Sequence, residues 1–244
     1  MTGCGRKLGP YECCTVVCGD CLELMKALPD GCVDAVITDP PYAIPTVVAS
    51  CRETTRNIGD LSLIEATFRL VFSAIERVTA ETGRMFVFCD GVSYHVVFRS
   101  AYGHWHTALL VWDKGRIGMG REFRKQHELI MHCWTTATPI FSDGVGRGDI
   151  LRFSPVGDGN LHPAQKPREL IEYLLTVCGE TILDPFLGSG TTAVAAKKLG
   201  RHFLGFEINP EYCKIAEDRI ALVEKQPNLF EKKVEQLDLT PSPV

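Results

Sequence analysis

The stretch Asp39-Pro40-Pro41-Tyr42 places a carboxylate, a fixed backbone carbonyl and an aromatic ring side by side. It follows the apolar run Val33-Asp34-Ala35-Val36-Ile37-Thr38 directly. Prolines lack an N–H and fix φ, so the strand must stop there and the chain beyond it is held rigid. An acid at the carboxyl end of a buried strand lies where open α/β sheets take their ligands. The chemistry these groups suit is activation of an exocyclic amine on a nucleobase, a poor nucleophile because its lone pair is delocalised into the ring. A carboxylate and the Pro40 carbonyl can both accept its N–H hydrogens, which draws the nitrogen toward tetrahedral geometry and aims the lone pair at an electrophile. Tyr42 offers a face on which an extruded base can stack.

A second constellation lies far downstream. Thr181-Ile182-Leu183 runs into Asp184-Pro185-Phe186-Leu187-Gly188-Ser189-Gly190-Thr191-Thr192, and a helical pattern follows. Glycines at a strand-to-helix turn let the backbone approach a ligand, and the helix N-terminus favours negative charge on it. About 20 residues further on, the run His202–Phe206 ends in Glu207, the position of a carboxylate that binds two ribose hydroxyls. Gly188-x-Gly190-x-x-Ala193 also satisfies the dinucleotide fingerprint, so a nicotinamide-dependent oxidoreductase is the rival reading. A dehydrogenase gives no reason for Asp-Pro-Pro-Tyr.

The elements that must position these groups alternate between strand and helix patterns. Strands are expected at Thr15–Cys18, Val33–Thr38, Arg84–Cys89, Thr107–Trp112, Glu128–Cys133, Thr181–Leu183 and His202–Phe206. Helices are expected at Leu22–Leu28, Leu61–Thr79, Val92–Ala101, Arg168–Cys178, Thr191–Leu199 and Pro210–Val223, the last capped by Asn209. This is an α/β pattern around a mostly parallel sheet with helices on both faces. Ala43–Asp60 reads as a loop, and Lys114–Lys125 as a glycine-rich basic one. Trp134–His162 is polar with repeated glycines.

In order and residue type these motifs resemble the amino-group DNA methyltransferases that use S-adenosylmethionine. The catalytic motif precedes the cofactor motif, which resembles the circularly permuted β group with its Rossmann-like class I fold. Gly19-Asp20-Cys21 and His162-Pro163-x-Gln165-Lys166-Pro167 resemble two further family motifs. The resemblance covers about Val16 to Ala221. It implies that Asp39, Pro40, Pro41 and Tyr42 form the catalytic motif, with Asp39 and the Pro40 carbonyl on the target amine. It implies S-adenosylmethionine as cofactor, with Asp20 and Cys21 at its adenine and Glu207, Ile208 and Asn209 at its ribose side. Asp184, Phe186, Gly188, Ser189, Gly190 and Thr191 would approach its methionine portion, near Asp39, with Lys166 at the carboxylate. Methyl transfer would be direct, in keeping with the absence of a Pro-Cys dipeptide. Asp at the head of the motif resembles adenine-N6 enzymes more than cytosine-N4 ones, and cytosine-N4 stays open as the alternative. RNA and protein amides are the remaining substrate classes.

The expected partner is double-stranded DNA with its target base flipped, as in restriction-modification enzymes. Lys114, Arg116, Arg121, Arg124 and Lys125 could contact phosphates, with Arg52 and Arg56 on a lid over the base. The segment left for target recognition, about 134–161, is short, and dimerisation is implied by resemblance alone. Residues 1–224 would form one domain and 225–244 a peripheral tail.

Composition agrees. Of 244 residues, 45% are hydrophobic and 23% charged, which excludes disorder across the whole chain. No run reaches the length of about 18 apolar residues that a membrane span needs. Met1–Pro10 has no apolar stretch of a secretory signal, so a cytoplasmic protein is expected. The net charge of -4 does not exclude a nucleic-acid enzyme, because steering depends on the local patch. Among 11 cysteines, Cys13-Cys14-x3-Cys18-x2-Cys21 resembles a zinc cluster. No second Cys-x-x-Cys or paired histidine completes four ligands at metal-site spacing, so no metal is expected.

Overall fold

A computed structural model describes residues 4–41, 58–91, 93–101, 103, 105–118, 122–139, 141, 146–155 and 165–224. A short hairpin opens the chain, β1 (Lys7–Leu8) and β2 (Tyr11–Glu12). Then come β3 (Thr15–Cys18), α1 (Cys21–Lys26), β4 (Val33–Thr38), α2 (Ile58–Val78), β5 (Thr79–Cys89), α3 (Tyr94–Ala101), β6 (His106–Asp113) and β7 (His127–Trp134). The remaining described elements are β8 (Ile150–Arg152), α4 (Arg168–Leu175), β9 (Thr181–Asp184), α5 (Thr191–Lys198), β10 (His202–Glu207) and α6 (Pro210–Glu224).

Eight strands form one sheet in the order β3-β10-β9-β4-β5-β7-β6-β8. Every pairing that excludes β7 is parallel; β7 runs antiparallel to both neighbours. The expected mostly parallel sheet is therefore present. Alternate residues of β5 feed opposite cores: Met85, Val87 and Cys89 face one, Phe86 and Phe88 the other. The first core takes Met25 of α1, Phe72 of α2 and Val97 of α3. The second takes Leu170 of α4, Ala195 of α5 and Ile220 of α6. Both faces of the sheet are thus covered, which is why its central strands read as unbroken apolar runs.

Departures from the expected elements have local causes. β8 and the β1–β2 hairpin are too short to carry a periodic signal, and β8 draws part of the 134–161 segment into the sheet edge beside β6. α4 stops at Leu175 rather than Cys178. Its last turns tighten into i to i−3 bonds from Thr176, Val177 and Cys178, and the Thr176 hydroxyl caps Tyr173 O at 2.6 Å. α2 begins at Ile58, so it takes in the end of the expected Ala43–Asp60 loop. Among the described residues no helix is long and apolar enough to cross a membrane.

Candidate active site

Strands β4 and β9 are neighbours, with Ala35 opposite Ile182 and Val36 opposite Leu183. Their carboxyl ends therefore emerge side by side, and with them the two motifs that lie far apart in the chain. The Thr38 hydroxyl donates to Asp184 Oδ1 at 2.9 Å, so the residue before Asp39 is tied to the acid that opens the glycine turn.

Asp184 itself lies beneath the turn. It is 4% exposed, and Oδ1 also accepts from the Phe186 N–H at 3.1 Å. Burial pushes its carboxyl up to about 7, against the opposing hydrogen bonds from Thr192, Phe186 and Thr38. Ser189 and Thr191 turn inward too. Arg219 of α6, 9% exposed, donates to Ser189 O at 2.6 Å and to Ser189 Oγ at 3.1 Å, and reaches Thr191 Oγ1 at 3.4 Å. An arginine holding the loop's carbonyl from below turns the opposite edge of the loop toward solvent. Sequence reading missed Arg219; the available signal was a charged residue inside the buried stripe Ala216, Ile220 and Val223 of α6.

Two glycines allow this loop to pack closely, one against α6 and one against β10. Gly190 sits at φ +85, and a Cβ there would stand 2.7 Å from Ala216 Cβ. A Cβ on Gly205 of β10 would stand 2.5 Å from Leu187, whose N–H bonds Phe206 O at 2.8 Å. Gly188, at φ +54, has open space where a Cβ would project. The loop backbone is open at Gly188, while Asp184, Ser189 and Thr191 are buried beneath it.

Glu207 closes the turn. Its two carboxylate oxygens accept from Gly188 N at 2.8 Å and Asn209 N at 2.9 Å. Asn209 in turn caps α6 through Glu211 N at 2.9 Å, as its sequence position suggested. Ile208 beside it is 68% exposed, and Phe186 packs partly against the core. Asp20 caps α1, accepting at Oδ1 from Leu22 N at 2.8 Å and Glu23 N at 3.4 Å. Burial raises the Cys21 thiol to about 11.

On the other side of Asp184 lies an ionic cluster that the sequence did not disclose. Lys166 Nζ is 2.6 Å from Asp39 Oδ2 and 3.0 Å from Glu128 Oε2, and Lys114 Nζ is 2.6 Å from Glu128 Oε1. Burial alone would lower the Lys166 ammonium, but Asp39 and Glu128 together raise it. For Glu128 the burial effect, upward, is outweighed by Lys166 and Lys114, which lower it. Two carboxylates and two ammonium groups thus balance in a half-buried site. The structure places Lys166 on Asp39, whose neighbour Thr38 is bonded to Asp184 at the glycine turn. Glu128 could not be found from spacing because it arrives from β7, the one antiparallel strand.

Residues 143–218, which include the glycine turn and Glu207, match the family model described as DNA methylase, N6_N4_Mtase. The type II methyltransferase M.HinfI of Haemophilus influenzae is 24% identical over 89% of this chain and 71% of its own length. M.BglII of Bacillus subtilis is 27% identical over 81% of this chain and 66% of its own. These similarities all point to the N6/N4 DNA methylases, and the matched segment carries both the glycine turn and Glu207. The fold agrees: a structure of an M1.HpyAVI–SAM complex superposes with a TM-score of 0.65 at 23% identity, covering 84% of this chain and 98% of that one. PvuII DNA methyltransferase, cytosine-N4-specific, gives 0.70 at 17% identity, covering 91% and 92%.

Around this site, the described part of the basic loop divides. Lys114 points inward to Glu128. Arg116 and Arg124 are exposed, and Lys125 is exposed with Asp90 Oδ2 at 3.6 Å. Ile117 at 58% and Phe123 at 103% exposure stand among them, exposed apolar side chains that charge counting overlooked. Tyr42, Arg52, Arg56 and Arg121 lie outside the described residues, as do His162 and Pro163.

The Asp184 carboxyl makes stability depend on pH. An acid with a higher pKa folded than unfolded holds its proton more tightly in the native state. Its contribution is full below about 3.8 and is lost as pH rises through about 7. Asp184→Asn should therefore flatten the dependence of Tm on pH across that window. Thermal unfolding at pH 5, 6, 7 and 8 checks it; parallel curves for the two proteins would remove Asp184 as the cause.

Proposed function

We propose that this chain transfers a methyl group from S-adenosylmethionine directly to N6 of an adenine flipped out of double-stranded DNA. The observation that carries this reading is the Thr38–Asp184 hydrogen bond, 2.9 Å, which locks the amine-activating Asp39 beside the glycine turn. The residues fit the cofactor: Gly188 is open above its backbone, Glu207 keeps lone pairs beyond those used by Gly188 and Asn209, and Ile208 offers exposed apolar surface. Glu207 would take the ribose hydroxyls and Asp20 the adenine amine. The cofactor supplies an electrophilic methyl carbon on a sulfonium.

Asp39 and the Pro40 carbonyl accept the N–H hydrogens of the target amine and hold its lone pair out of conjugation. Once nitrogen carries four bonds it must shed a proton, and Asp39 is the acceptor in place. Lys166 acts as a positioning residue, since its ammonium holds the Asp39 carboxylate in a fixed orientation. Exposed Arg116, Arg124 and Phe123 face the polymer in this reading.

Base identity rests on the Asp at the head of the motif, which favours adenine; the likeness to the cytosine-N4-specific PvuII fold keeps cytosine as the second reading. The test is digestion of DNA treated with enzyme and S-adenosylmethionine to nucleosides, followed by mass spectrometry. N6-methyladenosine as its deoxynucleoside is the expected product. N4-methyldeoxycytidine would overturn the base assignment, and no methylated nucleoside would overturn the reaction.

A further inference from the structure

At the opposite pole of the sheet, Cys4, Cys13, Cys14 and His202 bring four metal-ligating atoms together, all within 4.8 Å of one another. His202 opens β10, whose other end carries Glu207, so the cluster lies a full strand away from the proposed reaction. Cys4 Sγ and Cys13 Sγ each stand 3.3 Å from His202 Nδ1, Cys14 Sγ stands 3.9 Å from it, and the Cys13 and Cys14 sulfurs are 3.6 Å apart. Tetrahedral zinc, with bonds of about 2.3 Å to sulfur and 2.0–2.1 Å to nitrogen, requires edges of about 3.8 Å between sulfurs and about 3.6 Å from sulfur to nitrogen. The observed sulfur-to-nitrogen distances bracket the required value, and the Cys13–Cys14 sulfur separation of 3.6 Å lies close to its own.

We propose that Cys4, Cys13, Cys14 and His202 form a structural Zn²⁺ site that fastens the amino-terminal segment to the sheet edge. Three thiolates and an imidazole in tetrahedral array select zinc among common divalent metals. Four protein ligands leave no open position, the mark of a structural and not a catalytic centre.

The backbone is built to hold this arrangement. Cys14 adopts φ 63, the one positive value recorded for a non-glycine among the described residues, a conformation that costs free energy unless something compensates. Its N–H bonds Phe203 O at 2.7 Å, and the Cys13 N–H bonds Arg6 O at 2.9 Å. These bonds turn the two adjacent thiols toward the start of β10 and close the β1–β2 hairpin beneath them. Cys13 is buried, Cys14 and His202 are half-buried, and Cys4 is the exposed member that completes the set. The sequence pattern groups Cys13 and Cys14 with Cys18 and Cys21, and no second Cys-x-x-Cys or paired histidine completes that set. β3 carries Cys18 away to the other pole, and the β3–β10 pairing supplies His202 instead.

The test uses the full chain, purified without chelator, with metal measured by plasma mass spectrometry. One zinc per chain is expected, and removing it with a chelator should lower Tm by several degrees. Cobalt added to the stripped protein should give the intense visible bands of a tetrahedral centre with thiolate-to-metal charge transfer. Cys4→Ser touches no buried packing and should weaken zinc binding at least tenfold, while Cys18→Ser and Cys21→Ser bind as the parent does. Sub-stoichiometric metal before and after reconstitution, an octahedral cobalt spectrum, bound iron in place of zinc, or loss of zinc from the Cys18 and Cys21 variants but not from Cys4→Ser would each overturn the site.

Discussion

Asp39→Ala lowers kcat for methyl transfer by roughly 10²–10³-fold or more, the scale of removing one group that stabilises charge in a transition state. Cofactor affinity stays within a few-fold of the parent, because the glycine turn and Glu207 hang from β9 and β10 and not from Asp39. The fold should survive as well, since Lys166 keeps Glu128 at 3.0 Å when Asp39 is gone. Asp39→Asn is the informative partner: it preserves one acceptor oxygen and should retain more activity than alanine. Transfer kinetics alongside cofactor titration check this. Near-parental kcat in the alanine variant would take Asp39 out of the chemistry.

The second large effect falls on Glu207. Its side chain satisfies two backbone donors, Gly188 N and Asn209 N, one on each side of the proposed ribose pocket. Hydrogen bonds to a charged group contribute about 1.5–3 kcal/mol each, so Glu207→Ala should weaken cofactor binding by at least about 100-fold. Two causes combine, the lost ribose contact and a turn no longer held in shape. Glu207→Gln keeps one acceptor oxygen and should fall between. Calorimetric titration of S-adenosylmethionine into the three proteins ranks them; equal affinities would place the ribose elsewhere.

The parts of this site legible in the sequence are those in which one local segment does the whole job. Thr181 to Thr192 reads directly as strand, glycine turn and helix start, because Gly190 must adopt a positive φ and the strand before it is buried on both faces. Asp39 is placed by the strand before it and the prolines after it. What escaped reading depends on the order of strands. Lys166 meets Asp39, and Glu128 meets both Lys166 and Lys114, because β7 returns antiparallel between β5 and β6 and delivers its first residues to the pole where the parallel strands end. No spacing rule contains that reversal. Arg219 and the Cys4–His202 pairing escaped for the same reason, since each joins segments that only packing or sheet order brings together. Asp184 adds what its motif alone does not carry: its side chain is 4% exposed and is bonded to Thr38 and Phe186 beneath the turn.

The central claim is geometric: one pole of the sheet holds the methyl donor and the target amine against each other. A crystal structure with a non-reactive analogue of S-adenosylmethionine and a target duplex tests it most directly. The expected result is the analogue over the Gly188 backbone with its ribose on Glu207, and a flipped adenine whose amino group meets the Asp39 carboxylate and the Pro40 carbonyl. An analogue seated away from that turn, or a target amine engaged by groups other than Asp39, would contradict it.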